Sequence, residues 1–479
     1  MCDLHLPFDK NALQYDVLHW AIADILQTRP DGIAFVGDAT CDGNEAVYDF
    51  FISAIREMGL PFFYIPGNSD LRCKESRASI RSKASPCQND VDGLCIFAIN
   101  DCDTTVSDAQ LEALMCADEH SIVFMHHPLD AHCGETLAKL TSWRKTHQKT
   151  MLFYGHLHRF ETDGTYVSLP ALDPDKSIGE SPCLTYYDTE TGELHKTHYP
   201  SPVPTDIDAY FGISCYRVLA QIEFAIQNRL QYLELRPNCV NCDIDELTNA
   251  IDRWREAGGK HLSVHLPDIS WTNGTISCES HFALVEIVKT LKADRVTQHV
   301  PKVSVKEVRQ SPELLEKICE CLAKCLEPVS HDIVIGVENM HMTAEDTPDA
   351  KRRFGYIPEE CLEFMHLLST KTRHTVGINF DIGHARNNAP FSQKYQISTW
   401  LSMLGQYIVG YHIHQVTYAD GVFENHMPIT EVYGHLISYA SFFRCWSTKR
   451  INKAPIIFEM RPENAYEITL NTFRSISEK

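Results

Sequence analysis

The stretch Tyr199-Pro200-Ser201-Pro202-Val203-Pro204-Thr205 divides this chain in two. Alternating prolines fix φ and remove backbone donors, so the segment reads as a stiff, extended connector. To its left, short apolar runs at residues 32–36, 61–65, 94–99, 121–125 and 151–154 alternate with helical stretches. Each run ends in polar or charged residues, as buried strands with a site at their tips do. To its right the alternation becomes regular. Strand candidates fall at 211–216, 232–236, 261–266, 295–300, 333–339, 374–381, 408–415 and 455–460, with helix-like stretches such as 245–256, 312–326 and 431–446 between them. Eight strand–helix units in about 270 residues predict a (β/α)8 barrel, whose chemistry sits at the C-terminal ends of its strands. The expected organisation is α/β throughout: a domain at 1–199, a linker at 200–207 and a barrel at 208–479.

The totals agree with two packed domains. The 479 residues exceed one ordinary core, and 44% hydrophobic content argues against global disorder. A net charge of −21 repels phosphate backbones, which argues against nucleic acid as a partner. The 18 cysteines are scattered without disulfide-scaffold spacing. With no signal peptide or membrane-length apolar run, the expectation is a cytoplasmic protein with reduced thiols and no membrane association.

Five short motifs follow one another in the first domain: Asp3-Leu4-His5, Gly37-Asp38, Gly67-Asn68-Ser69-Asp70, His126-His127-Pro128 and Gly155-His156-Leu157-His158. All but the first come after an apolar strand candidate. Carboxylate, imidazole and amide oxygen together suit Mn, Fe or Zn. A carboxylate shared by two ions sets the spacing that clamps a phosphoryl group. This ordered set resembles the calcineurin-like metallophosphoesterase family over roughly residues 1–200. The resemblance implies a four-layer α/β sandwich with two divalent or trivalent ions. Asp3, His5, Asp38 and His158 would hold one ion, and Asp38, Asn68, His126 and His156 the other, with Asp38 as the catalytic bridge.

The chain departs from the family pattern twice. Only Met1 and Cys2 precede the Asp-x-His motif, so either the native chain starts upstream, or the missing first strand is rebuilt from elsewhere, or the site is weakened at Asp3 and His5. The position after Asn68, often a histidine that protonates the leaving group, is Ser69. Serine supplies that proton poorly at neutral pH, which turns attention to His127 or His132.

The barrel strands end in histidines and carboxylates: His265, His299, Glu338, Asp381 with His384, His412 followed by Glu424 and His426, and Glu459. Strand-end positions face one mouth and can converge. This pattern resembles the xylose isomerase-like barrel superfamily, which includes sugar isomerases and epimerases and the endonuclease IV type of nuclease. The isomerase type implies one ion held by Glu338, Asp381, His412 and Glu459, with Glu338 and Glu459 also moving a proton beside a carbonyl. The nuclease type implies three ions, adding His265, His299, His384, Glu424 and His426, with Glu424 where aspartate is usual. One to three ions, zinc or manganese, follow from the two patterns. Arg236 and Arg461 each stand two residues after a strand-end glutamate, so both could reach the mouth and bind a phosphate or carboxylate, or simply pair with a neighbouring acid.

Other features carry less. Cys239-Val240-Asn241-Cys242 lacks the rest of a zinc site. Cys321 and Cys325 share a helix stripe with Leu314, Ile318 and Leu322 and read as core thiols. Lys351-Arg352-Arg353 reads as a solvated loop, and Asn273-Gly274-Thr275 as a chance glycosylation triplet. The expected function is metal-dependent hydrolysis of a small organic phosphate ester, with the barrel acting on the ester or its sugar product. A phosphatase fused to a sugar or sugar-phosphate isomerase, a DNA-repair nuclease and a metal-free scaffold are the alternatives.

Overall fold

A computed structural model describes residues 1–479 except 273–274, 344–345, 347–351, 420–421 and 478–479. Asn273, Gly274 and Lys351, from the discounted motifs, lie outside the described residues. Two compact units emerge: residues 1–202 with 432–441, and residues 203–431 with 442–479.

The first unit holds strands β1 (Ile33–Val36), β2 (Phe62–Ile65), β3 (Gln88–Val91), β4 (Leu94–Ile99), β5 (Ile122–Met125), β6 (Met151–Tyr154), β7 (Glu161–Thr162), β8 (Tyr166–Ser168), β9 (Cys183–Tyr187) and β10 (Leu194–His198). β1 and β2 pair in parallel, β9 and β10 form an antiparallel pair, and the rest make one sheet in the order β3-β4-β5-β6-β8-β7. Alternation buries both faces of that sheet. Phe97, Ile99, Val123, Met125, Leu152 and Tyr154 pack against Leu114, Leu140 and Trp143 of the flanking helices. Ala98, Ile122, Met151 and Phe153 face Val36 and Ile65 of the β1–β2 pair. Phe35 in turn meets Phe51 of the helix Glu45–Arg56, with ring centroids 4.4 Å apart. The result is the helix–sheet–sheet–helix layering that the family resemblance implied.

The short N-terminal stub is built into this sandwich. Val36 N–H donates to the Met1 carbonyl at 2.9 Å and Asp3 N–H to the Gly37 carbonyl at 3.0 Å. On the other side Cys2 bridges Ala171 in parallel, and Asp173 N–H donates to the Asp3 carbonyl at 2.8 Å. Three residues thus do locally what a full strand would do, because neighbours on both sides saturate their backbone groups.

The second unit closes β11 (Phe211–Cys215), β12 (Tyr232–Leu235), β13 (His261–His265), β16 (Arg295–His299), β17 (Val334–Glu338), β18 (Thr375–Asp381), β19 (Ile408–Ile413) and β22 (Ile456–Phe458) into one parallel barrel. Two hairpins are added: β14 (Ser270–Thr272) with β15 (Thr275–Ser277), and β20 (Gln415–Ala419) with β21 (Val422–Met427). All eight expected barrel strands form.

The helix expected at 431–446 is confined to Ala440–Ser447. Residues 432–441 instead join the first unit, where Gly179 N–H donates to the Tyr433 carbonyl at 2.8 Å and the Ser177 and Ser438 hydroxyls lie 3.0 Å apart. Those bonds replace the local i→i−4 pattern a helix needs. The basic loop is also not simply solvated: Arg352 is buried and makes a two-pronged pair with Glu360 at 2.9 and 2.6 Å. Among the described residues no helix is long and apolar enough to cross a membrane.

Candidate metal centres

In the first unit, strand tips bring the predicted side chains together. Asp3, His5, Asp38 and His158 place one ligand atom each within 4.8 Å of one another, and so do His126, His127 and His156. Asp38 joins the two groups: its Oδ2 lies 3.1 Å from His5 Nε2 and 3.6 Å from His126 Nε2. Asn68 Oδ1 sits 3.0 Å from His126 Nε2 and 3.0 Å from His156 Nδ1. His158 Nε2 stands 3.5 Å from Asp3 Oδ1. Asp3 Oδ1 and His5 Nδ1 are buried without a hydrogen bond, as expected of atoms whose natural partner is a cation. The donor set suits metal ions.

The backbone is bent to achieve this. Asp3, His5, Asp38, His156 and His158 have φ between 48° and 69°. Such left-handed residues cost of order 1–3 kcal/mol each unless their surroundings hold them. Gly67 supplies part of the hold: a Cβ there would lie 2.2 Å from Asp38 Oδ1. Gly37, itself at φ 88°, has no room for a Cβ against His126.

Electrostatics follow the geometry. Burial opposes ionisation of Asp38, but His126, His5 and the Ser69 hydrogen bond overcome it and hold its pKa well below the usual carboxylate range. Burial likewise opposes charge on His126, yet Asp38, Asp3 and Asp101 raise its pKa to about 9. His5 is pushed down to about 3 by burial, aided by Lys176, and His156 to about 4 by burial, aided by His126.

Ser69 is unavailable for proton transfer: its hydroxyl donates to the Thr40 carbonyl at 2.6 Å and its N–H to Asp38 Oδ1 at 2.7 Å. His127 is better placed. Its ring centroid is 4.6 Å from that of His156, and its Nδ1 donates to the Asp101 carbonyl at 3.0 Å, which leaves Nε2 as the ring nitrogen outside that bond. His132 is tied elsewhere, with Nε2 3.3 Å from Asp101 Oδ2.

Asp101, which the motif reading missed, organises this side. Its carboxylate accepts from His126 N–H at 2.7 Å and His127 N–H at 2.9 Å. Asp173, also missed, lies 3.3 Å from His5 Nδ1. Burial, with the nearby Asp175 charge, pushes its pKa up to about 7 against the pull of Lys176.

In the barrel, Glu338 is the hub. Its Oε2 lies 3.1 Å from His265 Nε2 and 3.5 Å from His299 Nε2. Its Oε1 lies 3.2 Å from His412 Nδ1 and 3.5 Å from His384 Nδ1. His412 Nδ1 is also 2.9 Å from Glu459 Oε2 and 4.0 Å from Asp381 Oδ2. Glu338 Oε1, Asp381 Oδ2, Glu459 Oε2 and His412 Nδ1 are buried without a hydrogen bond in proper geometry, so this set too fits a cation. His384, His414 and His426 form a further group with ligand atoms within 4.8 Å.

Two residues here escaped the motif reading. His414 lies 3.3 Å from Asp381 Oδ1 through Nε2. Glu234 is buried, accepts from the Thr297 hydroxyl at 2.6 Å and faces His412 Nε2 at 3.2 Å. Burial opposes charge on His412, but Glu234, Glu338 and Glu459 raise its pKa well above the ordinary value.

The two arginines part company. Arg236 turns inward and pairs with Glu459 at 3.0 Å, beside Tyr216, whose hydroxyl donates to the same carboxylate at 2.7 Å. Arg461 is exposed. Glu424 is exposed as well, unlike His426 two residues on, so the expected carboxylate–histidine pair does not form. The register shift between Gln415 and Thr417 and the left-handed φ of 63° at His426 interrupt the alternation that would have aimed both side chains inward.

Residues 2–160 match the model of the calcineurin-like phosphoesterases, and residues 243–476 that of the xylose isomerase-like TIM barrels. Members of both families typically depend on metal ions. A probable cyclic nucleotide phosphodiesterase of Pseudoalteromonas sp. (strain SM9913) is 30% identical over 183 residues, which cover 33% of this chain and 69% of that protein. Among solved structures, a D-tagatose 3-epimerase-like protein is 18% identical, covering 56% of this chain and 98% of that one at a TM-score of 0.40. Endonuclease IV from Thermus thermophilus is 17% identical, covering 56% of this chain and 99% of that one at a TM-score of 0.39. The chain belongs to the calcineurin-like phosphoesterase family and joins that domain, in one polypeptide, to a xylose isomerase-like TIM barrel.

Proposed function

We propose that the first unit hydrolyses a small phosphodiester with the help of two metal ions, and that the barrel holds a second metal centre acting on a phosphate ester or its sugar product. The observation that carries this reading is Asp38, whose one carboxylate oxygen lies between His5 of one ligand group and His126 of the other. Asp3, His5 and His158 would complete one ion's shell, and Asn68, His126 and His156 the other's. Manganese, iron or zinc suits these donors. When bound, such ions neutralise phosphate charge and make water nucleophilic at neutral pH. The chain's own part is to hold the ligands rigidly and to deliver a proton. His127 does the latter through Nε2, while the Asp101 carbonyl fixes its ring. The curated relative's name supports a diester, with cyclic nucleotides the first class to try.

For the barrel, the joint approach of His265 and His299 to Glu338 favours a centre of more than one ion, zinc or manganese, and phosphate chemistry. A single-ion isomerase is the second reading. It is favoured by the way Glu338, Asp381 and Glu459 converge on His412 Nδ1. Arg236 would then neutralise Glu459 rather than hold substrate. The charge of −21 supports a small substrate over nucleic acid, and 18 free cysteines support a reducing, cytoplasmic setting.

The test is hydrolysis of bis(p-nitrophenyl) phosphate and of cyclic nucleotides with added manganese or zinc, by wild type, Asp38→Ala and Glu338→Ala. Loss in Asp38→Ala alone supports the first unit as the esterase. Loss in Glu338→Ala alone overturns that assignment.

A further inference from the structure

Outside both ligand sets, three cysteines meet. Cys278 directly precedes the helix Glu279–Thr290, and Cys321 and Cys325 occupy one face of the helix Glu313–Leu326. Their sulfurs all lie within 4.8 Å of one another, and the Cys278 and Cys321 sulfurs are 2.7 Å apart. Two thiolates on one zinc ion, at about 2.3 Å each, stay about 3.8 Å apart. The closer approach suits a sulfur–sulfur bond better than a shared cation. Cys278 and Cys325 are buried, whereas Cys321 is partly exposed and open to a small reagent. The i, i+4 spacing stacks Cys321 and Cys325 one turn apart, so either can face Cys278.

We propose that Cys278, Cys321 and Cys325 form a thiol–disulfide exchange site that reacts with small disulfides of the glutathione class. The Cys321 thiolate attacks one sulfur of the small disulfide; its S–S bond breaks and one small thiolate leaves, giving a mixed disulfide on Cys321. Cys278 loses its proton and attacks the Cys321 sulfur, releasing the second small thiolate. Two protein thiols are oxidised to one disulfide and one small disulfide is reduced to two thiols. Cys325 is the alternative partner one helical turn on. Hydrogen bonds from Cys278 and Cys321, working against burial, bring its thiol down to about 7, which suits it as that alternative nucleophile; the proton that Cys278 gives up passes to the departing small thiolate.

The experiment equilibrates the full-length protein in graded ratios of reduced to oxidised glutathione, alkylates the remaining thiols and maps linked peptides by mass spectrometry. The expected result is a Cys278–Cys321 link that grows with the oxidised fraction and reverses on reduction. In Cys321→Ser the link moves to Cys325, and in Cys278→Ser it disappears. Full alkylation of all three thiols at every ratio would overturn the proposal, and so would zinc or copper released in stoichiometric amount on alkylation of these three. The wild-type measurement stands whether or not the variants fold.

Discussion

The two centres reach similar donor sets by opposite backbone routes. In the first unit, five ligand-bearing residues are left-handed, three of them (Asp38, His156 and His158) just beyond strand tips and two (Asp3 and His5) in the N-terminal segment. In the barrel, His265, His299, Glu338 and Asp381 end the parallel strands, with one register shift at Ile378–Asn379 ahead of Asp381; of the barrel set only His426 is left-handed. A site made of bent loops depends on the glycines and second-layer carboxylates that hold the loops. A site made of straight strands depends on the barrel and tolerates local change better. The charge balance differs too. The barrel interior gathers Glu234, Glu338, Asp381 and Glu459 around Arg236 and a histidine ring, whereas the first centre shares one bridging carboxylate between two ligand groups.

The largest effect should come from the bridge. Asp38→Asn removes the charge that lies between both ligand groups and should lower kcat/KM for a phosphodiester by about a thousandfold, on the scale of removing a key electrostatic group. Glu338→Gln should leave that activity within about twofold, since Glu338 belongs to the barrel's own ligand set and shares no partner with Asp38 among the described contacts. Equal losses in both variants would break the comparison, because the two centres would then serve one reaction.

Gly67→Ala tests the dependence on bent loops. A Cβ there collides with Asp38 Oδ1 and N at 2.2 and 2.5 Å, so Asp38 must move. Metal affinity of the first unit should fall about 10–100-fold, as for disturbed ligand orientation. Gly336→Ala is the matched change in a barrel strand, where the new Cβ meets Asn379 Cβ at 2.9 Å. That should cost about 1–3 kcal/mol of stability by overpacking and leave the first unit's metal content unchanged. Titration calorimetry with manganese and thermal melts separate the two outcomes; a metal loss in Gly336→Ala equal to that in Gly67→Ala would remove the distinction.

Asp101→Asn sharpens the comparison further. The carboxylate gathers the His126 and His127 backbone and the His132 ring without touching an expected ion position. Loss of its charge should lower activity about tenfold while much of the bound metal stays, a split read by comparing kcat with metal content. Activity unchanged within error would make Asp101 a purely structural acid.

Much of this was legible in the sequence because strand tips announce themselves: an apolar run followed by a charged or histidine residue recurs at Asp38, His126, His156, Glu338 and Glu459. The same signal was present at Asp101, two residues after β4, and in the His412-Ile413-His414 spacing, which alternation sends to one face. Glu234 was visible too but was read only as a neighbour of Arg236. What the pattern could not carry was the fate of residues 432–441, whose bonding partners at Ser177 and Gly179 lie some 250 residues earlier in the chain. Nor could it show which of two residues in a hairpin turns inward once a bulge shifts the register.

Glu424 puts that last point to the smallest test. It was expected among the ligands by analogy of spacing, yet it is exposed on β21 while His426 is buried beside Glu459. If the hairpin holds this register when metal is bound, Glu424→Gln changes neither the barrel's metal content nor its activity by more than about twofold, as for an ordinary surface substitution. His426→Ala, at the neighbouring inward position, should lower barrel metal content measurably in the same elemental assay. A loss in Glu424→Gln as large as in His426→Ala would mean that the bulge at Gln415–Thr417 straightens on metal binding, and that the strand-built centre, like the loop-built one, recruits a bent segment to complete itself.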